Sequence, residues 1–303
     1  MKTVDLHVHS IVSDGSYKPA ELAELAKAQG LAAFALTDHD VIAGTAEAAA
    51  AAKAAGIGFI NGMELTTEFQ GRKLHIVCLG FDPAHPAFRT VYQRVRAIKE
   101  GRIPEMIAFI QRKGVDISLA KVQEFVYDGP LDRYAIMRYL VSLHLYDRAQ
   151  PLWDHYLDPA AAELGLNFSI TAEEALPLIH EAGGATSLAH FHKEIGLQGL
   201  SRREQEAAIL QLHKLGLDGM ERYYPTYSEE DADFAAYLTQ KYDLLATGGS
   251  DFHGTNRPGT AMGTGIEHNL SVPSVFLDEV RSRCKKNKRV SRNMSRAGRI
   301  SML

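Results

Sequence analysis

Histidines and carboxylates recur along this chain at short spacings. His7 and His9 stand two apart, and Asp14 follows in Ser13-Asp14-Gly15. The run Thr37-Asp38-His39-Asp40 repeats the pairing, Glu64 and His75 come next, and His190, Asp251 and His253 close the series. Each lies at the end of, or within, a short apolar run of β character. Imidazole nitrogens and carboxylate oxygens together suit Zn, Mn or Fe. Clustered divalent cations turn water into a nucleophile near neutral pH, so the chemistry these residues point to is hydrolysis.

The spacing has a mechanical meaning. Side chains alternate faces along a strand, so His7 and His9, or Asp251 and His253, project to one side. Any one of these residues taken alone is more often an ordinary polar group. The same strand-end context recurring at least six times is a poor fit to coincidence.

Residues 4–8 alternate like a strand, 19–28 read as a helix with Pro19 in its first turn, and 31–37 as a short buried strand. An Ala-rich helix over 45–55 stops at Gly56, and strands follow over 57–65 and 73–79. This rhythm predicts parallel strands joined by helical crossovers. It changes at Pro86. Residues 91–113 have helical periodicity, broken or capped by Pro104, and 119–127, 132–145 and 149–157 read as short helices. We expect a helical insertion over 99–166, set into an α/β unit formed by 1–98 and 167–270. The α/β pattern resumes with a capping box at Thr171-Ala172-Glu173-Glu174 and strands over 185–189, 219–222 and 244–247. Candidate ligands from His39 onward, apart from His75 at the beginning of its strand, fall at or just past strand C-termini, where α/β barrels carry their sites. Residues 271–303 read as one helix followed by a basic tail, expected to be solvated and disordered.

Composition narrows the function. The chain has 303 residues, 46% of them hydrophobic, and no apolar run approaches a bilayer span. It shows no signal-peptide pattern, so a cytoplasmic location is expected. Its two cysteines, Cys78 and Cys284, have no CxxC partner, which leaves nitrogen and oxygen as the metal ligands. Residues 281–299 carry nine Lys or Arg and no acid; the rest has 24 basic against 37 acidic residues, about −13. An acidic body binds nucleic acid poorly without specific contacts. A small phosphorylated metabolite is the expected partner, and the oligomeric state is not encoded in any pattern we recognise.

The ordered set His7-x-His9, Ser13-Asp14-Gly15, Thr37-Asp38-His39, Gly62-x-Glu64, His75, Ala189-His190 and Ser250-Asp251-x-His253 resembles the motifs of the PHP (polymerase and histidinol phosphatase) family. The resemblance implies a distorted (β/α)7 barrel, with the insertion covering the C-terminal face of its strands. It also implies two to three divalent ions, Mn foremost and Fe or Zn as alternatives. By position it assigns His7, His9, Glu64 and Asp251 to a first ion. Glu64 bridges to a second, completed by His75 and His190, and Asp14, His39 and His253 take a third. Asp38 and Asp40 are expected to orient imidazoles. His85, His144, His155, His180, His213 and His268 read as surface or structural.

Such a centre hydrolyses phosphate esters. Arg133 and Arg222, beside Tyr134 and Tyr223-Tyr224, and Arg257 are candidate phosphate or ring contacts, and His192 or Lys193 could protonate a leaving alkoxide. The stretch Leu131-Asp132-Arg133-Tyr134-Ala135 replaces the Gly-Arg-Pro-His-like segment of the nucleotide-cleaving branch, and Phe191 stands where Pro often follows the strand-end histidine. The leading substrate is therefore a small phosphorylated ribose, 5-phosphoribosyl 1,2-cyclic phosphate. Alternatives are a nucleoside monophosphate or the 5′ end of an oligonucleotide. An amidohydrolase is a third reading, weakened by the lack of a suitable bridging lysine.

Overall fold

The computed structural model describes residues 2–166 and 170–300. Its strands are β1 (Thr3–Asp5), β2 (Ala33–Leu36), β3 (Gly58–Phe69), β4 (Arg72–Leu79), β5 (Ile170–Thr171), β6 (Ala185–Leu188), β7 (Gly219–Tyr223), β8 (Leu245–Gly248) and β9 (Val272–Pro273). They form one sheet in the order β8-β7-β6-β4-β3-β2-β1-β9, with β5 paired to β3. The ring is completed by backbone bonds between the segments that follow β1 and β8. Leu6 donates to Gly248 O at 3.1 Å, Asp251 to His7 O at 2.9 Å and His9 to Phe252 O at 2.9 Å. The result is a distorted (β/α)7 barrel built from β1–β4 and β6–β8.

Within the barrel ring one strand departs from the all-parallel expectation, and outside it β9 pairs antiparallel with β1. β4 runs antiparallel to both β3 and β6. The reversal is made at Gln70 and Gly71, both with positive φ (52° and 76°), the conformation a tight hairpin needs. Antiparallel entry puts the beginning of β4 at the end of the barrel where the parallel strands finish. His75, paired with Thr66, therefore sits at the mouth.

Alternation along the strands divides the core. Met63, Leu65, Ile76, Leu188 and Met220 pack outward against the helices Ala172–Glu181 and Arg202–Leu215, while Ala33, Ala35, Val77, Leu79, Ala185 and Leu245 pack with Phe276, Leu277, Val280 and Cys284. The last four belong to the helix Val275–Ile300, which closes the end opposite the mouth. Asn287 donates to Gly184 O at 2.7 Å and Cys284 Sγ to Leu79 O at 3.4 Å. Helix continues through Ile300 into the stretch expected as a basic tail, and 301–303 lie outside the described residues. Apolar periodicity fades after Cys284, but Lys and Arg are good helix formers and extend a helix already anchored by packing.

Between β4 and β5 the chain forms the helices Pro86–Glu100, Ile103–Arg112, Leu119–Gln123, Arg133–Ser142, Gln150–Leu152 and Asp158–Glu163, with a π-helical turn over Trp153–Leu157. The break falls at Gly101 and Arg102 (φ 56°), and Pro104 lies in the first turn of the next helix, where no amide donor is needed. From Ile103 onward these elements share their own apolar cluster around Ile107, Ile110, Ile136, Leu140 and Leu157. The expected end of the insertion at 166–167 adjoins 167–169, which lie outside the described residues. The insertion meets the mouth through Arg138, which reaches carbonyls of Ile11–Ser13, and through Ala149 N–H, which donates to Asn256 O.

Asp5 ties ring closure together from inside. Its buried carboxylate accepts from Ser250 N at 2.9 Å, Ser250 Oγ at 2.5 Å, Gly263 N at 2.7 Å and His7 N at 3.3 Å. Replacing it by Ala strands several buried donors. Asp5→Ala is expected to lose about 3 kcal/mol or more in denaturant unfolding, and Asp5→Asn less; an unchanged unfolding midpoint in Asp5→Ala would refute this role.

Candidate metal centre

The mouth of the barrel brings nine of the sequence-selected residues into one cluster centred on Glu64. Its Oε2 lies 3.1 Å from His7 Nε2, 3.1 Å from His9 Nε2 and 3.0 Å from His39 Nδ1. Its Oε1 lies 3.0 Å from His75 Nδ1 and 2.9 Å from His190 Nε2. Asp251 Oδ1 stands 3.2 Å from His9 Nε2 and 3.6 Å from His7 Nε2. Asp14 is set wider, with oxygens 3.4 Å from His253 Nε2, 3.6 Å from His39 Nε2 and 3.7 Å from His9 Nδ1. Three overlapping groups could each hold an ion: His7, His9, Glu64 and Asp251; His39, Glu64 and His75; His9, Asp14, His39 and His253. His9 and His39 thus each join two groups, which spacing alone did not indicate.

Buried polar atoms normally find hydrogen-bond partners. Here His7 Nε2, both nitrogens of His9, Glu64 Oε2, His75 Nδ1, His190 Nδ1 and His253 Nε2 are buried with none. Such a convergence of lone pairs is what divalent ions satisfy, so the residues fit the ions the sequence pattern implies. Their proton affinities follow from the crowding. Burial would raise Glu64, yet His7, His75 and His39 hold it well below the usual carboxylate range. Against burial, the carboxylates of Glu64, Glu221 and Asp251 push His7 well above the ordinary imidazole value, and Asp251, Glu64 and Asp14 carry His9 to about 9. Burial drives His190 down to about 3 and lowers His39 and His253. Cations therefore displace protons chiefly from His7 and His9.

A second layer fixes these side chains. Glu221, at the inward face of β7, accepts from His7 Nδ1 at 2.7 Å and from the backbone N–H of His190 at 2.7 Å. It sets the His7 tautomer so that Nε2 faces the cluster. Sequence reading placed Glu221 at a strand end but gave it no role; its strand-end position, matching that of His190, was the available signal. Asp38 accepts from Ser10 N, Ser10 Oγ and Ser13 Oγ, holding the loop that carries Asp14. Asp40 accepts from Thr66 N and Oγ1 and pairs with Lys99 at 2.6 Å. Gly15 is needed for close approach, since a Cβ there would lie 2.5 Å from His9 O. His190 (φ 26°) and Asp251 (φ 53°) occupy backbone space that non-glycine residues avoid, a strain common at functional sites.

Above the cluster opens a cavity of about 1050 Å³. Arg133, Tyr134, His192, Lys193 and Arg257 line it, joined by Arg72, Lys73 and Trp153, which sequence reading did not select. The Arg133 guanidinium lies over Trp153, 5.5 Å from its ring centre. Lys193, Tyr224 and Arg257 all bond Asp251 Oδ2, leaving Oδ1 toward the imidazoles. Arg222 is a correction. It does not line the cavity but lies 5.7 Å over Tyr223, whose ring packs on Phe276. Alternation along β7 turns Glu221 inward and takes Arg222 away. Among the other histidines, His180 bonds Asp218, His213 bonds Leu217 O, and His85 caps a helix.

Known proteins resemble this chain in sequence and in fold. The profile of the PHP domain family matches residues 5–163. A 5′-3′ exoribonuclease of Haemophilus influenzae is 32% identical over 83% of this chain and 90% of its own. A 3′,5′-nucleoside bisphosphate phosphatase of Chromobacterium violaceum is 32% identical over 91% and 94%. A phosphoribosyl 1,2-cyclic phosphate 1,2-diphosphodiesterase of Eggerthella lenta is 27% identical over 82% and 94%. Among solved structures, a Bifidobacterium adolescentis protein assigned as a metal-dependent phosphoesterase superposes with TM-score 0.77 at 26% identity, over 93% of this chain and 96% of that one. A Chromobacterium violaceum protein described as an amidohydrolase, with sulfate and no metal, superposes with TM-score 0.71 at 31% identity and the same coverages.

Glu221 lies outside the ligand groups, and its neutral isostere removes both the acceptor that orients His7 and the charge that raises it. Glu221→Gln is expected to weaken Mn binding about 10- to 100-fold in titration calorimetry, while unchanged affinity would remove Glu221 from the site. In the unsubstituted protein, affinity is expected to fall as pH drops below about 9, where His9 takes up its proton.

Proposed function

This chain belongs to the PHP domain family and is a phosphoric ester hydrolase, and we propose that it removes phosphate from a phosphorylated ribose compound at the Glu64-centred cluster. The observation that carries the proposal is the convergence of orphaned imidazole and carboxylate atoms beneath a cation-lined cavity. Bound there, divalent ions supply Lewis-acid activation of a phosphate oxygen and of water. The ligands would be His7, His9, Asp14, His39, Glu64, His75, His190, Asp251 and His253.

The residues around the cluster divide the remaining work. Arg257 and Lys193 neutralise Asp251 Oδ2 and present positive charge to the cavity, where phosphate oxygens gain charge in the transition state. Lys193 is the better proton donor for a leaving alkoxide. Burial and the neighbouring Lys193 lower the His192 imidazole, which leaves it neutral at physiological pH, and its Nε2 is engaged with Thr226 at 2.9 Å. Arg133, backed by Trp153 and Tyr134, suits a second anionic group or a flat ring.

Two substrate sizes compete. The smaller is 5-phosphoribosyl 1,2-cyclic phosphate, the leading candidate from the sequence, cleaved as diester and then as monoester. The cavity volume and the Arg133–Trp153 wall favour a larger member of the same class, a nucleotide with a second phosphate or an RNA 5′ end. The amidohydrolase reading is disfavoured because the carboxylate shared between ligand groups is Glu64, while Lys193 beside them is engaged with Asp251 and Tyr224.

A panel measuring free phosphate decides among them: the cyclic phosphoribose, AMP, a nucleoside 3′,5′-bisphosphate, a short 5′-phosphorylated RNA and histidinol phosphate, with Mn present. The bisphosphate or RNA is expected to give the highest kcat/KM. Preference for the cyclic ester would restore the smaller substrate, and hydrolysis of none would defeat the proposal. Glu64→Ala and His190→Ala should each lose at least about 1000-fold in kcat on the best substrate while remaining folded. Arg133→Ala should raise KM about tenfold with little change in kcat.

A further inference from the structure

We propose that Arg138, on the insertion, is a positioning residue for Asp14, so that one cation of the cluster binds only when the insertion grips the loop between β1 and the helix Pro19–Ala28. The proposal rests on the reading that the cluster holds metal ions.

Arg138 lies in the helix Arg133–Ser142, with no ligand atom of its own near the cluster. Its Nη1 donates to three successive carbonyls, Ile11 O at 2.9 Å, Val12 O at 3.2 Å and Ser13 O at 3.4 Å. Its Nε donates to Phe125 O at 2.7 Å, which ties the other edge of the guanidinium to the insertion. The next residue after these carbonyls is Asp14. Only a planar fork serves both sides at once; a lysine ammonium at this position is a single point of contact.

Two further clamps hold the same loop. Ser13 Oγ donates to Asp38 Oδ1 at 2.7 Å from the barrel side. Asn256 Nδ2 donates to Asp14 O at 2.9 Å and Gly15 O at 3.1 Å, and Asn256 O accepts from Ala149 N–H of the insertion at 3.2 Å. The insertion thus reaches the Asp14 loop directly through Arg138 and indirectly through Asn256. Asp14 is also the widest-set carboxylate of the cluster. Its nearest imidazole approach is 3.4 Å, against 2.9 Å at Glu64, and it belongs to only one of the three groups. Loss of the grip should therefore cost the ion bound by His9, Asp14, His39 and His253 and spare those bound through Glu64.

Metal content reads this out independently of turnover. Full-length protein, Arg138→Met, Asp14→Ala and Glu64→Ala would be stripped, equilibrated at graded free Mn²⁺ and analysed by elemental mass spectrometry. Arg138→Met and Asp14→Ala are each expected to lose one equivalent at Mn²⁺ levels that saturate the unsubstituted chain, with metal-free melting temperatures close to it. A full complement bound with unchanged affinity in Arg138→Met overturns the proposal. If the Met variant does not fold, Arg138→Lys takes its place, with the same equivalent weakened at least tenfold; unchanged binding there overturns it equally. Failure of the underlying reading looks different: no metal in the unsubstituted chain, or full metal in Glu64→Ala.

Discussion

The structure is organised around a buried concentration of opposite partial charges that cannot be satisfied by the protein alone. Glu64 has imidazole nitrogens within about 3 Å on both oxygens, and several of those atoms lack hydrogen-bond geometry to any partner. Burying unpartnered polar atoms is costly. Cations in the same space would offset that cost, because each of these buried lone pairs could then serve as a ligand. Neighbouring features follow from that need: Glu221 turning His7, Asp38 holding the Asp14 loop, and strained backbone at His190 and Asp251 that aims side chains no relaxed conformation would deliver.

The barrel supplies convergence. Parallel strands bring their C-terminal ends to one rim, and an antiparallel β4 would ordinarily deliver the wrong end. It contributes because its ligand comes early, at His75, rather than late. One reversed strand therefore costs the site nothing and gives Glu64 and His75 neighbouring strands joined by a two-residue turn. The insertion then adds Arg133, Tyr134 and Trp153 to a cavity wall whose other cations, Arg72, Lys73, Lys193 and Arg257, come from the barrel.

Much of this was legible in the sequence. Pro19, Gly56 and the capping box at Thr171 fixed helix limits because local chemistry decides them. The ligand candidates were visible because one strand-end pattern of histidine and acid recurs along the chain, although any single member of it is commonplace. The reversal of β4 was hidden, since Gln70-Gly71 resembles many loops and an apolar run has no written direction. Glu221 was passed over because it pairs with His7 across 214 residues of chain, a relation only the fold creates. Trp153 lay within an expected helix, and nothing in that helix signals the π turn that brings it to the cavity. Arg222 failed for a simpler reason: adjacency to tyrosines ignores which face of a strand a residue occupies.

Ring closure has a consequence of its own. The first and last strands of the barrel are joined by few backbone bonds, and these involve His7, His9 and Asp251 themselves. A cation held by His7 and His9 from one side and Asp251 from the other would staple this seam shut. Removing it leaves the Asp251 carboxylate facing the imidazoles of His7 and His9, which take up protons in its place. Metal loss would then exchange one clasp for another, at a joint that Asp5 also holds through Ser250 and Gly263.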